Sequence, residues 1–416
     1  LTRPDPTWPD PTLGVVPPDG GGDTVAGMTT VADLLIASLA DHGVRQVWGV
    51  VGDALNPVTD AIRRDARMEW IGVRHEEVAA FAVSAQSQLT DDLAVCMGTV
   101  GPGSIHLLNG LYDAKKSHTP VLAICGQVPR EEMGSDFFQE VDNDALFADV
   151  AVFNATVTSI DQLPGLIEQA GNAALAERGV AVLTLPGDVG GLDLSDDVAV
   201  PRFTTSQPSV APHADAVRAA ADAINADGSV TLLVGMGARH AREEVLRLAE
   251  LLKAPMVLSL KAKEGFDDDN PYEIGQSGLI GNPATALAFA SCDTLVLLGT
   301  DFPYPEFLPD GKTVVQVDVR GAHVGRRTPV DHPVVGDARL ALGALLPLLT
   351  EKTERGHLDH AREAYELWGR GQAHLADPVY DTKRVGLLRR KVDNPDTLIR
   401  PELLAAAVER HAARDA

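Results

Sequence analysis

From Val31 onward, apolar residues alternate between short unbroken runs and stripes with helical spacing. Val31 to His42 has the 3.6-residue period of a core-facing helix, with Thr30 as its N-cap and Gly43 as its stop. A short buried strand is expected over 44–50. A helix over 55–64, a strand over 69–73, a helix over 77–89 and a strand over 93–97 continue the alternation. Apolar runs at 121–124 and 180–185 complete a set that predicts a parallel sheet covered on both faces. The pattern restarts at Val230-Thr231-Leu232-Leu233-Val234, followed by an expected helix over 241–252 and strands over 256–258, 294–298 and 313–317. The fold class this predicts is α/β, built as two doubly wound parallel-sheet domains, the second Rossmann-like.

Interruptions in the pattern divide the chain. Residues 1–27 hold six prolines and five glycines with almost no apolar period, so they are expected to form a disordered extension without the apolar stretch of a signal peptide. A first domain is expected over 28–186 and a second over 213–350. The Pro-, Asp- and Ser-rich segment 187–212 reads as the linker between them. Residues 351–416 read as charged helix plus a stretch broken at Asn394-Pro395, with no further parallel-sheet set.

Charge and cysteine usage narrow the partners. Asp and Glu total 59 against 35 Lys and Arg, a formal net charge of -24, which repels phosphate backbones and anionic lipid. No apolar run is long enough to span a bilayer. Cys96, Cys125 and Cys292 lie far apart in or beside apolar runs, as expected of buried thiols in a reducing cytoplasm rather than of disulfides or a zinc site. The histidines lack metal-ligand spacing such as HExxH, and no metal ligand is assigned in this chain.

Candidate chemistry lies at strand ends. Gly235 and Gly237, in Gly235-Met236-Gly237-Ala238, close a strand and open a helix, where free amides favour a phosphate; the same turn also occurs as a packing feature. Asp318 ends the run Val314-Val315-Gln316-Val317, where a carboxylate can take ribose hydroxyls. Thr300, Asp301, Phe302, Pro303 and Tyr304 follow another strand at the same carboxyl edge, so the three segments together read as an extended dinucleotide site. In the first domain, Arg74-His75-Glu76-Glu77 joins a strand to an alanine-rich helix. Acids at that position also complement a helix dipole.

Several strings resemble a known family in order and spacing over about residues 28–350. They include Trp48-Gly49-Val50-Val51-Gly52-Asp53, Arg74-His75-Glu76-Glu77-Val78-Ala79-Ala80-Phe81, Gly101-Pro102-Gly103, Gly134-Ser135-Asp136-Phe137-Phe138-Gln139-Glu140 and Ser277-Gly278-Leu279-Ile280-Gly281. The chain resembles thiamine-diphosphate enzymes, and is most similar to the bacterial pyruvate dehydrogenase (quinone) or pyruvate oxidase branch. The resemblance implies that Glu76 supports the imino tautomer of the cofactor's aminopyrimidine, with Glu77 a plain helix-start acid. It implies that Phe138 and Gln139 lie near the reacting centre, where they orient the ketoacid. It also places FAD contacts on Ser277, Gly278, Leu279 and Ile280, on Thr300 to Tyr304 and on Asp318, with Gly235 and Gly237 as further candidates.

The implied activity is oxidative decarboxylation of pyruvate, electrons passing to FAD and then to quinone or O2, in a dimer of dimers. A carboligase of the acetolactate-synthase kind and a non-catalytic nucleotide-binding module are the alternatives. The family holds the diphosphate through Mg2+ with a Gly-Asp-Gly motif and a later Asn pair. No Gly-Asp-Gly occurs here: Gly52-Asp53-Ala54, Gly187-Asp188-Val189 and Gly336-Asp337-Ala338 lack the third glycine. The Mg2+ ligands are therefore expected in a further domain beginning near Pro401, and these 416 residues alone are expected to show no turnover.

Overall fold

The computed structural model describes residues 30–195, 198–203, 209–226, 228–377 and 399–413. The extension 1–27 and the stretch around Asn394-Pro395 lie outside the described residues. The chain forms two compact units, Leu1–Pro208 and Ser209–Ala416.

The first unit has one six-stranded sheet, with β1 Gln46–Gly49, β2 Glu69–Gly72, β3 Ala94–Gly98, β4 Val121–Gln127, β5 Ala151–Thr156 and β6 Val180–Pro186. Every pairing is parallel, in the order β2-β1-β3-β4-β6-β5. β3, β4 and β6 are buried along their whole length, which is why their sequences are almost wholly apolar, with Gln127 and Thr184 as buried polar exceptions. Leu34, Val58 and Ile167 fill the core on one face; Ala80, Leu107 and Leu111 fill it on the other. Helix Val31–Asp41 starts as expected at Thr30. That residue forms a capping box with Asp33, and Gly43 takes φ +102° just past the end.

Two features differ from the sequence pattern. β5 is a half-buried edge strand with a register shift at Ala151/Phe153, so it lacks an apolar run. Part of the segment read as linker packs into the first core. Backbone amides of Val31 and Ala32 donate to Leu192 O and Gly190 O, Val189 is buried, and Phe203 lies over Gly171. A Cβ at Gly171 would sit 2.6 Å from that ring.

The second unit's sheet contains β7 Val230–Val234, β8 Met256–Leu258, β9 Glu273–Gln276, β10 Thr294–Leu298, β11 Thr313–Asp318 and β12 His332–Val335. Their order is β12-β11-β10-β7-β8-β9, all parallel. The chain thus runs outward from β7 to one edge, returns to the middle at β10 and runs outward to the other. This is the order of dinucleotide-binding sheets. The four strands expected from sequence are present. β9 and β12 are four-residue edge strands carrying Glu273, Gly275, His332 and Pro333, a composition that hides them. Helix Gly356–Ala376, expected from sequence as charged helix outside the second domain, packs on this unit and buries Leu358 and Ala361.

Glu273 starts β9 with its carboxyl buried and Oε1 unpaired. Burial, reinforced by the neighbouring Asp267 carboxylate, pushes its pKa from 4.5 up to about 7. An acid raised in the folded state contributes stability that is complete below pH 4.5 and is lost as pH rises through 7. Glu273→Gln is expected to stabilise the protein at pH 8 by roughly 1–3 kcal/mol, several degrees in Tm, and to do nothing at pH 4. Thermal melts from pH 4 to 8 check this; parallel wild-type and variant profiles would refute it.

Candidate cofactor sites

In the first unit the strand order reverses between β1 and β3, which opens a crevice at their carboxyl ends. Its walls meet at glycines. A Cβ at Gly52, after β1, would lie 2.4 Å from Thr99 Cβ, and one at Gly98 would lie 2.2 Å from Gly103 O. Thr99 Oγ1 is buried there without a hydrogen-bond partner.

Two helices start at this edge, Glu76–Thr90 and Pro102–Ser117, and run side by side in the same direction. At Gly110 their backbones touch: a Cβ there would meet Ala80 Cβ and Phe81 N at 2.5 Å. One turn earlier on each helix stand Glu76 and His106. The contact at Gly110 therefore sets them face to face, with His106 Nδ1 3.0 Å from Glu76 Oε2. Glu76 is only 8% exposed although it occupies the first helical position. The His75 ring stacks on His106 with centroids 4.3 Å apart, and its Nδ1 accepts the Glu77 N–H as helix cap. Glu77 turns away to accept from Asn109 Nδ2. Ligand atoms of His75, Glu76 and His106 lie within 4.8 Å of one another, a cluster that sequence spacing does not show. One His75 nitrogen serves the cap and one His106 nitrogen serves Glu76, so the arrangement is a hydrogen-bond network.

Phe138 and Gln139 reach the same edge through Gly101. This glycine caps helix Pro102–Ser117 at φ +63°, and a Cβ on it would lie 2.5 Å from Gln139 O. Gln139 itself takes φ +67°, and Phe138 is 78% exposed.

In the second unit the reversal falls between β7 and β10. Gly235 is forced to be glycine, because a Cβ would lie 2.3 Å from Gly299 O. The Gly237 amide donates to Gly299 O at 3.0 Å, so it is not offered to a phosphate. Gly235 caps a 3-10 turn, Met236–Ala241, that contains Gly237 and precedes helix Arg242–Leu252, instead of the direct helix start expected.

Beside Gly299, Thr300 Oγ1 is buried and unpartnered. Asp301 is held by Arg326 and Arg327 at 3.2 and 3.0 Å. The segment through Phe302, Pro303 and Tyr304 crosses to the loop after β9. There Gly278, at φ +95°, lies under Tyr304 and Phe302, with Cβ distances of 3.1 and 3.2 Å. Phe302 is thereby a core residue. Ser277 is buried, whereas Leu279 and Ile280 present apolar side chains to solvent. Asp318, at the end of β11, is buried and accepts the Arg320 N–H at 2.8 Å. Burial raises its pKa, and burial lowers that of His323, 4.0 Å away. The three expected strand-end segments therefore converge. His106 in the first unit and His323 in the second have no sequence signal, because each depends on contacts between distant segments, whereas Thr99 lies in a turn between a strand and a helix that the sequence already marks.

Two family models match this chain: the thiamine pyrophosphate enzyme N-terminal TPP binding domain over residues 29–146, and the thiamine pyrophosphate enzyme central domain over residues 217–345. An uncharacterized 42.6 kDa protein of Pseudomonas amyloderamosa is 46% identical over 346 residues, covering 81% of this chain and 87% of that one. A pyruvate oxidase of Lactiplantibacillus plantarum is 33% identical over 76% of this chain and 54% of its own. An acetolactate synthase of Mycobacterium bovis is 31% identical over 89% and 62%. The chain thus spans less than two thirds of the length of either named enzyme. Among the described residues no helix is long and apolar enough to cross a membrane.

Proposed function

Because this chain belongs to the thiamine-pyrophosphate enzyme family, we propose that its first unit holds the aminopyrimidine end of thiamine diphosphate and its second holds FAD, in an enzyme that oxidatively decarboxylates pyruvate. The observation that carries this is the buried Glu76 carboxyl, set by the Gly110 contact at the switch point of the sheet and addressed by His106. Thiamine diphosphate supplies the carbanion-stabilising chemistry for cleaving the bond between a ketone and its carboxylate. Glu76 offers the hydrogen bond to a pyrimidine nitrogen, and His106 orients that carboxyl and offers it a route for its proton. The orphaned Thr99 hydroxyl is a ready partner for a polar group entering the crevice. Gln139 orients the ketoacid, and Phe138 closes the open side.

Three features support FAD in the second unit: the unpartnered Thr300 hydroxyl, the Asp318 carboxyl at a strand end where it can accept from ribose hydroxyls, and the exposed Leu279 and Ile280 beside Gly278. Mg2+ would bind with the diphosphate, and no residue described here is assigned to it. In the overall reaction pyruvate, water and an oxidised acceptor give CO2, acetate and the acceptor carrying two electrons and two protons. Quinone and O2 are the acceptor classes. Assembly into a dimer of dimers is supported by apolar Val78, Phe81 and Ile105, exposed on the two helices that bear Glu76 and His106.

The carboligase reading has its own support, since the acetolactate synthase is nearly as similar as the oxidase. One anaerobic experiment separates them. With pyruvate, an oxidase bleaches its flavin absorption and yields acetate; a carboligase keeps the flavin oxidised and yields acetolactate.

A further inference from the structure

The loop that delivers Phe138 and Gln139 is irregular and solvent-exposed, yet it carries three left-handed residues: Gly134 at φ +81°, Asp136 at +58° and Gln139 at +67°. Two of these bear side chains that disfavour that conformation, so something outside the backbone must select it. The selecting group is the residue that follows. Glu140 folds back so that one carboxylate oxygen accepts the Gly134 N–H and the other accepts the Phe137 N–H at 3.1 Å. Its own amide donates to Phe137 O at 2.8 Å. The backbone N–H groups of Gly134, Phe137, Asp136 and Ser135 together hold its pKa below the usual glutamate value, as expected for a carboxylate acting as the anion of an amide nest. Just beyond, Gln127 Nε2 donates to Val141 O at 2.6 Å and pins the strand-side end of the loop. The product of this wrapping is the contact of Gln139 with Gly101, the cap of the helix that carries His106.

We propose that Glu140 is a positioning residue: it touches no reactant, and through the backbone of residues 134–139 it fixes Phe138 and Gln139 against the Gly101 end of the His106 helix. This rests on the functional reading given above for Phe138 and Gln139. A surface glutamate with no such role would pair with solvent or a lysine, not gather amides from its own loop.

Glu140→Ala in the complete chain is expected to speed hydrogen exchange at the Gly134 and Phe137 amides by roughly tenfold or more, the scale of losing charge-assisted hydrogen bonds. Glu140→Gln, which keeps one acceptor oxygen, should recover part of that protection. Exchange in helix Glu76–Thr90 and the melting temperature should stay at wild-type values. In steady-state assays with pyruvate, supplied with a diphosphate-binding domain where turnover needs one, Glu140→Ala should raise KM by about tenfold with a smaller change in kcat. The Gln variant should fall between. Unchanged exchange at Gly134 and Phe137 would overturn the proposal, as would a freed loop with wild-type KM. Failure of the functional reading is distinct: it would show as wild-type KM and turnover in Gln139→Ala, whatever the loop does.

Discussion

Glu76→Gln is expected to leave the first unit folded and to lower turnover by about 10²–10⁴-fold, the range typical of an essential acid–base group. The side chains are nearly isosteric, and Gln can still meet His106 through its amide oxygen, so the helix start and the Ala80–Gly110 contact persist. What is lost is a carboxyl able to give and take a proton at a pyrimidine nitrogen. Glu77→Gln is the control. That residue sits in the same first turn but accepts from Asn109, so its loss should cost turnover less than a few-fold. His106→Ala should fall between them, because it leaves the acid but removes its orienting partner. Steady-state rates of the three variants, each assayed with the diphosphate-binding portion present, decide the assignment. Equal losses at Glu76 and Glu77 would mean that only a helix-start charge matters.

Asp318→Ala is expected to weaken FAD binding by about 10–100-fold, the scale of one or two hydrogen bonds to a charged group. Asp318 is buried at the end of β11, next to the β7–β10 reversal where Gly235 and Thr300 meet. Its raised pKa adds a pH signature: the acceptor form is depleted as pH falls through that value, so flavin affinity should decline on the acid side. The same shift means that burial opposes the charge in the empty protein. Stability conferred by the group is present at low pH and lost as pH rises through its pKa, so removing Asp318 should not lower Tm at neutral pH. Titration of flavin fluorescence across pH reads affinity, and melts read stability. Wild-type affinity in the variant would remove Asp318 from the site.

The central strands of both units were legible because a strand buried on both faces is predominantly apolar, as at 121–124 and 230–234. Three of the four edge strands escaped for the converse reason: half-exposed β5 and four-residue β9 and β12 carry polar residues, glycine or proline, whereas edge strand β2 was legible through Trp70-Ile71. Thr30 and Gly43 announced the first helix because caps are local chemistry. Glu76 was legible from its motif, but its partner was not. His106 lies thirty residues away in sequence and reaches Glu76 only because Gly110 lets two helices close to backbone contact. Gly237 shows the opposite failure: a GxG turn suggests phosphate binding, while its amide is committed to Gly299 O. Phe302 likewise belongs to the motif yet serves the core, where it supports Gly278.

Activation of a bound aminopyrimidine by Glu76 can be read by one measurement that assumes no substrate. Proton NMR after rapid acid quench follows exchange of the C2 proton of thiamine diphosphate for deuterium on the protein, completed with a diphosphate-binding domain where binding needs one. Exchange is expected to be much faster than for free cofactor, falling by about 10²–10⁴-fold in Glu76→Gln and little in Glu77→Gln. Rapid exchange that survives Glu76→Gln would contradict activation by Glu76.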